Sequence, residues 1–523
     1  MCKRLMLLVC VVGVFGLAGI VSAAEIDWID NNFDYSFCNP DNWDPYGVPG
    51  PGDQCQINPA GPNPTRGPIV DCVVVIDSIR GGPDGDMAID WVSGGDMTVN
   101  DWDERWGTEG GGVATFNFLG GYLTILEERF RIGNENSNIV INISGDFVLN
   151  LPGGDWRFAD NDDMSVDWNM DGGTINITDG SLQLGDDGAG TMDFTGGTLD
   201  IGEHFRIICR KTDQTVNIGG TTDIYIDRDL RISENGGRKD FTTCLVNMTG
   251  GTVNADRINI FDDEAENDSV AELNLSGGLL IARDRFEIPD RGDGSATVSI
   301  TGGVLQCGDI VLDDDDSVVD VNGPSEFEPD YKIDGVIIID GDKRAKIMGY
   351  AAEGKITGNG SPRGVRADYD VINTGKTTVW LSDNICPPWL PTPADGAVHV
   401  VVDVLLEWMP GEYLGGRGRH GLYLSDDYDE VEAASGVDPP FVAWILVPGL
   451  SYDTSPLALE LWKTYYWRID EIGESPCPLG VGEVWTFTTG CELIDGDLNL
   501  DCVVDFKDYA LWADVLGDEA FFP

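Results

Sequence analysis

The sequence predicts an all-β protein: a right-handed parallel β-helix, then a β-sandwich, then a short calcium loop and helix. Three observations carry this. A Gly-Gly unit flanked by alternating apolar residues recurs across residues 91–320. The stretch Pro387-Pro388-Trp389-Leu390-Pro391-Thr392-Pro393 reads as a stiff extended linker, followed by short strand-like runs. Near the C-terminus, oxygen-bearing side chains fall at regular spacing through twelve residues. The expected organisation is a signal peptide over 1–23, a β-helix with capping segments over 24–385, a sandwich over 386–490 and a calcium-binding repeat over 491–523.

The repeat comes first because it covers most of the chain. Thr115-Phe116-Asn117-Phe118-Leu119-Gly120-Gly121-Tyr122-Leu123-Thr124-Ile125 shows the unit, and Met192-Asp193-Phe194-Thr195-Gly196-Gly197-Thr198-Leu199-Asp200-Ile201 repeats it. Nine centres from Gly94 to Gly302, with Ser144-Gly145 filling one gap, are spaced 26 residues apart on average. Alternation on both sides of the glycines implies two strands, each with one buried face. Many units add a third strand, such as Arg129-Phe130-Arg131-Ile132 or His204-Phe205-Arg206-Ile207. Two or three strands per repeat make one rung of a parallel coil, stable only when stacked. Ten to twelve rungs of ~4.8 Å give a rod of roughly 50 Å. Stacked inward Asn and Thr are the structural alternative to any binding role for the variable, acidic segments at Asp160 to Asp163, Asp262 to Glu264 and Asp313 to Asp316.

These units resemble the Gly-Gly solenoid repeats of autotransporter-like and other bacterial surface proteins. Asn42-Trp43, Val48-Pro49-Gly50 and Gly52-Asp53 resemble the first turn of such proteins, which implies an opening cap, and residues 350–383 read as a closing one. In the sandwich region, Thr464-Tyr465-Tyr466-Trp467-Arg468-Ile469-Asp470-Glu471 and Glu483-Val484-Trp485-Thr486-Phe487-Thr488-Thr489 resemble closing strands of fibronectin type III modules. Trp408, Trp467 and Trp485 sit in alternating strand patterns there. They are expected in the core, with a sugar-stacking platform as the alternative.

The loop from Asp497 to Asp508 places Asp497, Asn499, Asp501, Asp505 and Asp508 at positions 1, 3, 5, 9 and 12, with the Val503 carbonyl at position 7. Calcium takes six to eight hard oxygen ligands, and EF-hand-type loops supply them at these positions. A short apolar face follows through Phe506, Tyr509, Ala510, Ala513 and Leu516. This loop and helix resemble a dockerin repeat. The resemblance implies calcium as the cofactor and a cohesin-like protein or a cell-surface polysaccharide as partner. Cys502 stands where the EF-hand glycine is usual, Asp508 where Glu is usual, and one repeat stands in place of a tandem pair.

Composition narrows the setting. Lys and Arg number 32 against 91 Asp and Glu, a net charge of −59, which disfavours nucleic acid and anionic lipid. Lys3 and Arg4, the apolar stretch 5–20 and Val21-Ser22-Ala23 have the form of a secretory signal. Val9 before Cys10 does not suit a lipid anchor, and no later run is apolar enough for a membrane span. An extracellular chain permits disulfides, expected by proximity for a pair among Cys38, Cys55 and Cys72, for Cys209–Cys244, Cys386–Cys477 and Cys491–Cys502.

The expected function is that of a secreted, non-catalytic surface, adhesion or scaffold protein. The alternatives are a polysaccharide lyase or glycoside hydrolase on the β-helix, or a carbohydrate-binding protein. A lyase needs carboxylates and a basic group on adjacent rungs: Asp160, Asp162 and Asp163 with Arg206 are one candidate set, His204 with Arg210 another. Exposed Trp102, Trp106 or Trp156 would suit sugar stacking.

Overall fold

The computed structural model describes residues 24–490, apart from 31–33, 58–66, 82–86, 103–112, 128, 133–137, 160–163, 234–241, 262–269, 291–293, 324–334, 382–387, 412–417 and 473–479. The signal peptide, the calcium loop, Trp106, the acidic runs at 160–163 and 262–264, and Cys386, Cys477, Cys491 and Cys502 therefore lie outside the described residues. The chain divides into two compact units, Met1–Ser317 and Val318–Pro523.

The first unit is a β-solenoid. Each rung contributes to three parallel sheets. The first contains Val113–Phe118, Asn138–Ile143 and the leading half of Ser165–Ile177, paired in register. The second contains Tyr122–Ile125, Val148–Leu151 and the trailing half of Ser165–Ile177. The third runs through Arg129–Arg131, Asp155–Phe158, Leu182–Leu184, Phe205–Ile207 and Asp229–Ile232. The later strands Thr243–Ile260, Val270–Ile288 and Ser295–Leu312 each pass through all three sheets.

The alternation read from the sequence is the burial pattern of these strands. Phe116, Phe118, Ile141, Trp168 and Phe194 point inward, and the residues between them face out. Trp156 stacks on Phe130 at 5.2 Å between ring centres and packs on Trp168 at 4.8 Å. The glycines turn the corner between the first two sheets. Gly251 has φ +75°, and a Cβ there would lie 2.4 Å from the Thr222 carbonyl of the preceding rung. Gly220 has φ +57° and the same conflict with the Thr195 carbonyl at 2.0 Å. Only glycine meets both the left-handed backbone and the close stacking.

The coil has about nine turns, fewer than the ten to twelve expected. Beyond residue 335 the pairing changes: Val336–Asp340 runs antiparallel to Lys376–Leu381, which runs antiparallel to Val365–Tyr369. The stacked asparagines offered as the structural alternative to a binding role do form, but on the outer face and not inward. Asn117 donates to Asp90 (2.7 Å), Asn142 to Asn117 (2.8 Å) and Asn169 to Asn142 (3.1 Å). A second series runs from Asn274 to Asn247 (3.0 Å), Asn217 (2.8 Å) and Asp193 (2.6 Å). Each amide N–H points to the previous rung, and each ladder ends on an aspartate, which only accepts.

At the N-terminal end, Trp28, Phe37 and Trp43 form an aromatic cluster, and the Trp43 indole donates to the Phe37 carbonyl (2.7 Å). Cys38 pairs with Cys72 and Cys209 with Cys244, while Cys55 and Cys307 are buried thiols. Burial pushes the Cys55 thiol pKa up.

The second unit begins with Val318–Val321, parallel to Ile356–Gly358, and a helix over Arg344–Glu353, within which residue 350 falls. Its sandwich has a three-stranded sheet, Trp389–Thr392, Leu405–Met409 and Ser451–Asp453. The opposing sheet has five strands, including Arg419–Ser425, Thr464–Ile472 and Trp485–Thr489. Leu406 and Trp408 from one sheet pack with Leu422, Trp467, Trp485 and Phe487 from the other. All three tryptophans are core residues, as expected from their alternation.

Candidate functional site: an arginine face on the third sheet

The outer face of the third sheet concentrates the coil's positive charge. Strand register aligns Arg157, Gln183, Arg206 and Arg231 in one column. It brings Arg131 to the same column from the preceding rung. In the neighbouring column Asp229 aligns with Arg257, and Arg257 with Arg285. Arg157, Arg206 and Arg231 each sit between two inward apolar residues, so the strand alternation turns them outward.

Asp229 anchors this face and is 1% exposed. Its carboxylate accepts from Arg231 Nη2 at 3.0 Å and from Arg257 Nε and Nη2 at 3.0 and 3.2 Å. Burial raises its pKa, but hydrogen bonds from His204, Arg231 and Arg257 outweigh burial and hold it well below the usual carboxylate range. His204 Nδ1 lies 3.4 Å from both the Asp229 amide and Asp229 Oδ2. The amide needs an unprotonated nitrogen and the carboxylate a protonated one, so the ring serves one of them at a time. Three rungs earlier, Asp155 accepts from Arg157 (2.9 Å) and from the Ser181 amide (3.0 Å). Burial raises its pKa too, but these bonds and the charges of Arg157 and Arg206 bring it below normal.

The residues singled out from sequence distribute unevenly. His204 and Arg206 belong to this face. Arg210 pairs with Asp186 at 2.9 Å. Asp160, Asp162 and Asp163 lie outside the described residues, as do Asp497, Asn499, Asp501, Val503, Asp505 and Asp508. Trp156 is corrected: it is fully buried in the aromatic stack, so it offers no surface to a sugar. The side chain of Trp102 lies outside the described residues. The acidic run at 313–316 forms a local turn, in which Asp314 accepts from the Asp316 amide and from Ser317 Oγ. Among the described residues, no group of three or more His, Cys, Asp or Glu could hold a metal ion, and no helix is long and apolar enough to cross a membrane.

A cleft of about 170 Å³ lies in the second unit beside Met348, Trp389, Trp485, Arg344 and Arg366. Its arginines pair with Asp395 (3.3 Å) and Glu483 (3.2 Å), and both tryptophans are buried. These are ties between the helix-bearing segment and the sandwich.

No family model, curated protein or solved structure matches the chain.

The sequence reading missed the arginine column. Its signal is a recurring apolar–Arg–apolar triplet: Phe130-Arg131-Ile132, Trp156-Arg157-Phe158, Phe205-Arg206-Ile207 and Leu230-Arg231-Ile232.

Proposed function

We infer that this chain is a secreted, non-catalytic scaffold of the cell exterior, in which a β-solenoid displays a binding surface and a calcium-ordered, dockerin-like repeat provides a second attachment point. The observation that carries the reading is how the coil spends its outward polar groups. The asparagine ladders satisfy each other from rung to rung, and Asp229 is committed to ion pairs. Such contacts stiffen a stack. Asp229, held ionised, is poorly suited to be the general acid of a glycosidase near neutral pH. The sandwich, with its tryptophans in the core, fits a fibronectin type III-like spacer.

The calcium part rests on the spacing of Asp497, Asn499, Asp501, Val503, Asp505 and Asp508. Cohesin-like docking and attachment to a surface polysaccharide are the partner classes that this repeat suggests. Calorimetry of the mature chain against calcium, beside an Asp497→Ala/Asp501→Ala variant, tests it. Saturable heat in the parent and none in the variant is expected. Equal heats in both would place calcium elsewhere on the acidic surface.

A further inference from the structure

We propose that the arginine face of the third sheet binds a linear anionic polysaccharide laid along the coil axis. The proposal rests on the scaffold reading above and names the ligand class of its display surface.

Register is the first argument. Arg206 and Arg231 occupy the same column on adjacent rungs, and Arg157 lies two rungs before Arg206. Stacked strands place successive column positions ~4.8 Å apart, so the arginines recur at about one and two rung spacings. A pyranose unit is of similar length. An acidic sugar chain running parallel to the axis therefore brings carboxylate or sulfate groups past the column nearly in step. The guanidinium fork matches either group through paired hydrogen bonds.

Charge distribution is the second argument. Residues 24–317 contain seventeen Lys and Arg, and seven of them (129, 131, 157, 206, 231, 257 and 285) fall on third-sheet strands. From Arg129 to Leu312 the third-sheet segments carry seven arginines and four carboxylates, Asp155, Asp229, Glu287 and Asp309, on a chain of net charge −59. The face is locally cationic where the rest of the surface is strongly anionic. A neutral glycan has no use for such a concentration, and nucleic acid, with its larger charge density, meets stronger repulsion from the whole chain.

Preorganisation is the third. Buried Asp229 holds Arg231 and Arg257, and Glu287 holds Arg285 at 3.2 Å. The Arg257 and Arg285 side chains stay 41% and 42% exposed. Fixed guanidiniums on part-exposed side chains lose little rotamer freedom on binding.

The arrangement predicts an uncommon salt response. The Debye length is ~30 Å at 0.01 M and ~3 Å at 1 M ionic strength. At low salt the whole anionic chain repels the polymer, and at high salt the local contacts are screened. Affinity should therefore peak in between.

The test uses polygalacturonate and its methyl-esterified, uncharged counterpart against the mature full chain, first without calcium and then with it, by calorimetry across ionic strengths. Binding of the acid and not the ester is expected, strongest at intermediate salt. Arg206→Gln/Arg285→Gln should weaken it at least tenfold, and Arg206→Lys/Arg285→Lys should retain part of it. The lysine variant decides the matter if the glutamine variant does not fold. Absence of binding, equal binding of the ester, or binding that requires calcium and ignores both substitutions would overturn the proposal, the last by showing that calcium bridges the polymer to acidic surface. Self-association in place of polymer binding would overturn it as well. Shortening of the polymer would instead overturn the scaffold reading, while leaving the arginine face as its binding site.

Discussion

Replacing Asp229 with asparagine isolates the contribution of the cluster that anchors the third sheet. The substitution keeps the side-chain shape and one acceptor oxygen but removes the charge between Arg231 and Arg257. Leaving a buried charge without its partner costs about 3–5 kcal/mol in a fully enclosed site. Arg257 is 41% exposed and Arg231 17%, so water re-solvates part of what the carboxylate gave up. The surviving amide oxygen also keeps about one hydrogen bond, and the expected loss falls to about 2–3 kcal/mol. A stacked coil need not unfold as one unit, so a single global midpoint would dilute the effect. Native-state hydrogen exchange is the better assay. Protection should fall at Leu230, Ile232, Ile258 and Ile260 and stay unchanged near Met97 and Leu123. As a control, Arg228→Gln breaks an exposed pair with Glu203 and should cost less than about 0.5 kcal/mol. If Asp229→Asn costs no more than that control, the cluster is not the anchor described.

Other expectations follow from the same contacts. Because the Asp229 pKa is depressed on folding, its contribution is complete above the unfolded carboxyl value of about 4 and disappears as pH falls through the folded one. The urea-stability gap between parent and Asp229→Asn should thus stay constant at neutral pH and close in strong acid. Gly251→Ala combines a left-handed backbone with the Thr222 carbonyl contact and should lose more than about 2 kcal/mol in urea unfolding. Gly349→Ala, on an ordinary helical backbone with open space around its Cβ, should gain about 0.5–1 kcal/mol. Asn247→Asp removes the donor to Asn217 and should lose about 1 kcal/mol, whereas Asp193→Asn, which keeps an acceptor for Asn217, should change stability far less. Joint replacement of Cys209 and Cys244 by serine opens a loop of 35 residues and should lower stability by about 4 kcal/mol on chain-entropy grounds.

The solenoid was legible because its rule is local and repeated. Alternation assigns each side chain to a face, and the Gly-Gly corner is required by backbone contact between rungs. The number of turns was less legible. The strands after residue 335 have the same β-branched composition as the coil, and their antiparallel pairing depends on partners some forty residues away, as for Ile337 and Val379. Trp156 was misjudged because an isolated tryptophan between Asp155 and Arg157 reads as surface. Alternation, applied to that strand, puts it inside. The arginine face escaped for a different reason. Arg157, Arg206 and Arg231 are 49 and 25 residues apart, and only strand register makes them neighbours. The asparagine ladder could have been found, since an Asn or Asp precedes nearly every Gly pair by two or three positions.

The central claim is that the coil holds a partner without altering it. Its most direct test is prolonged incubation of the mature chain with polygalacturonate, followed by size-exclusion chromatography with light scattering to measure polymer length. The account predicts polymer of undiminished length that carries the protein with it. Progressive shortening of the polymer, abolished by substitution of His204 or Arg206, would contradict the account and make the third-sheet face an active site.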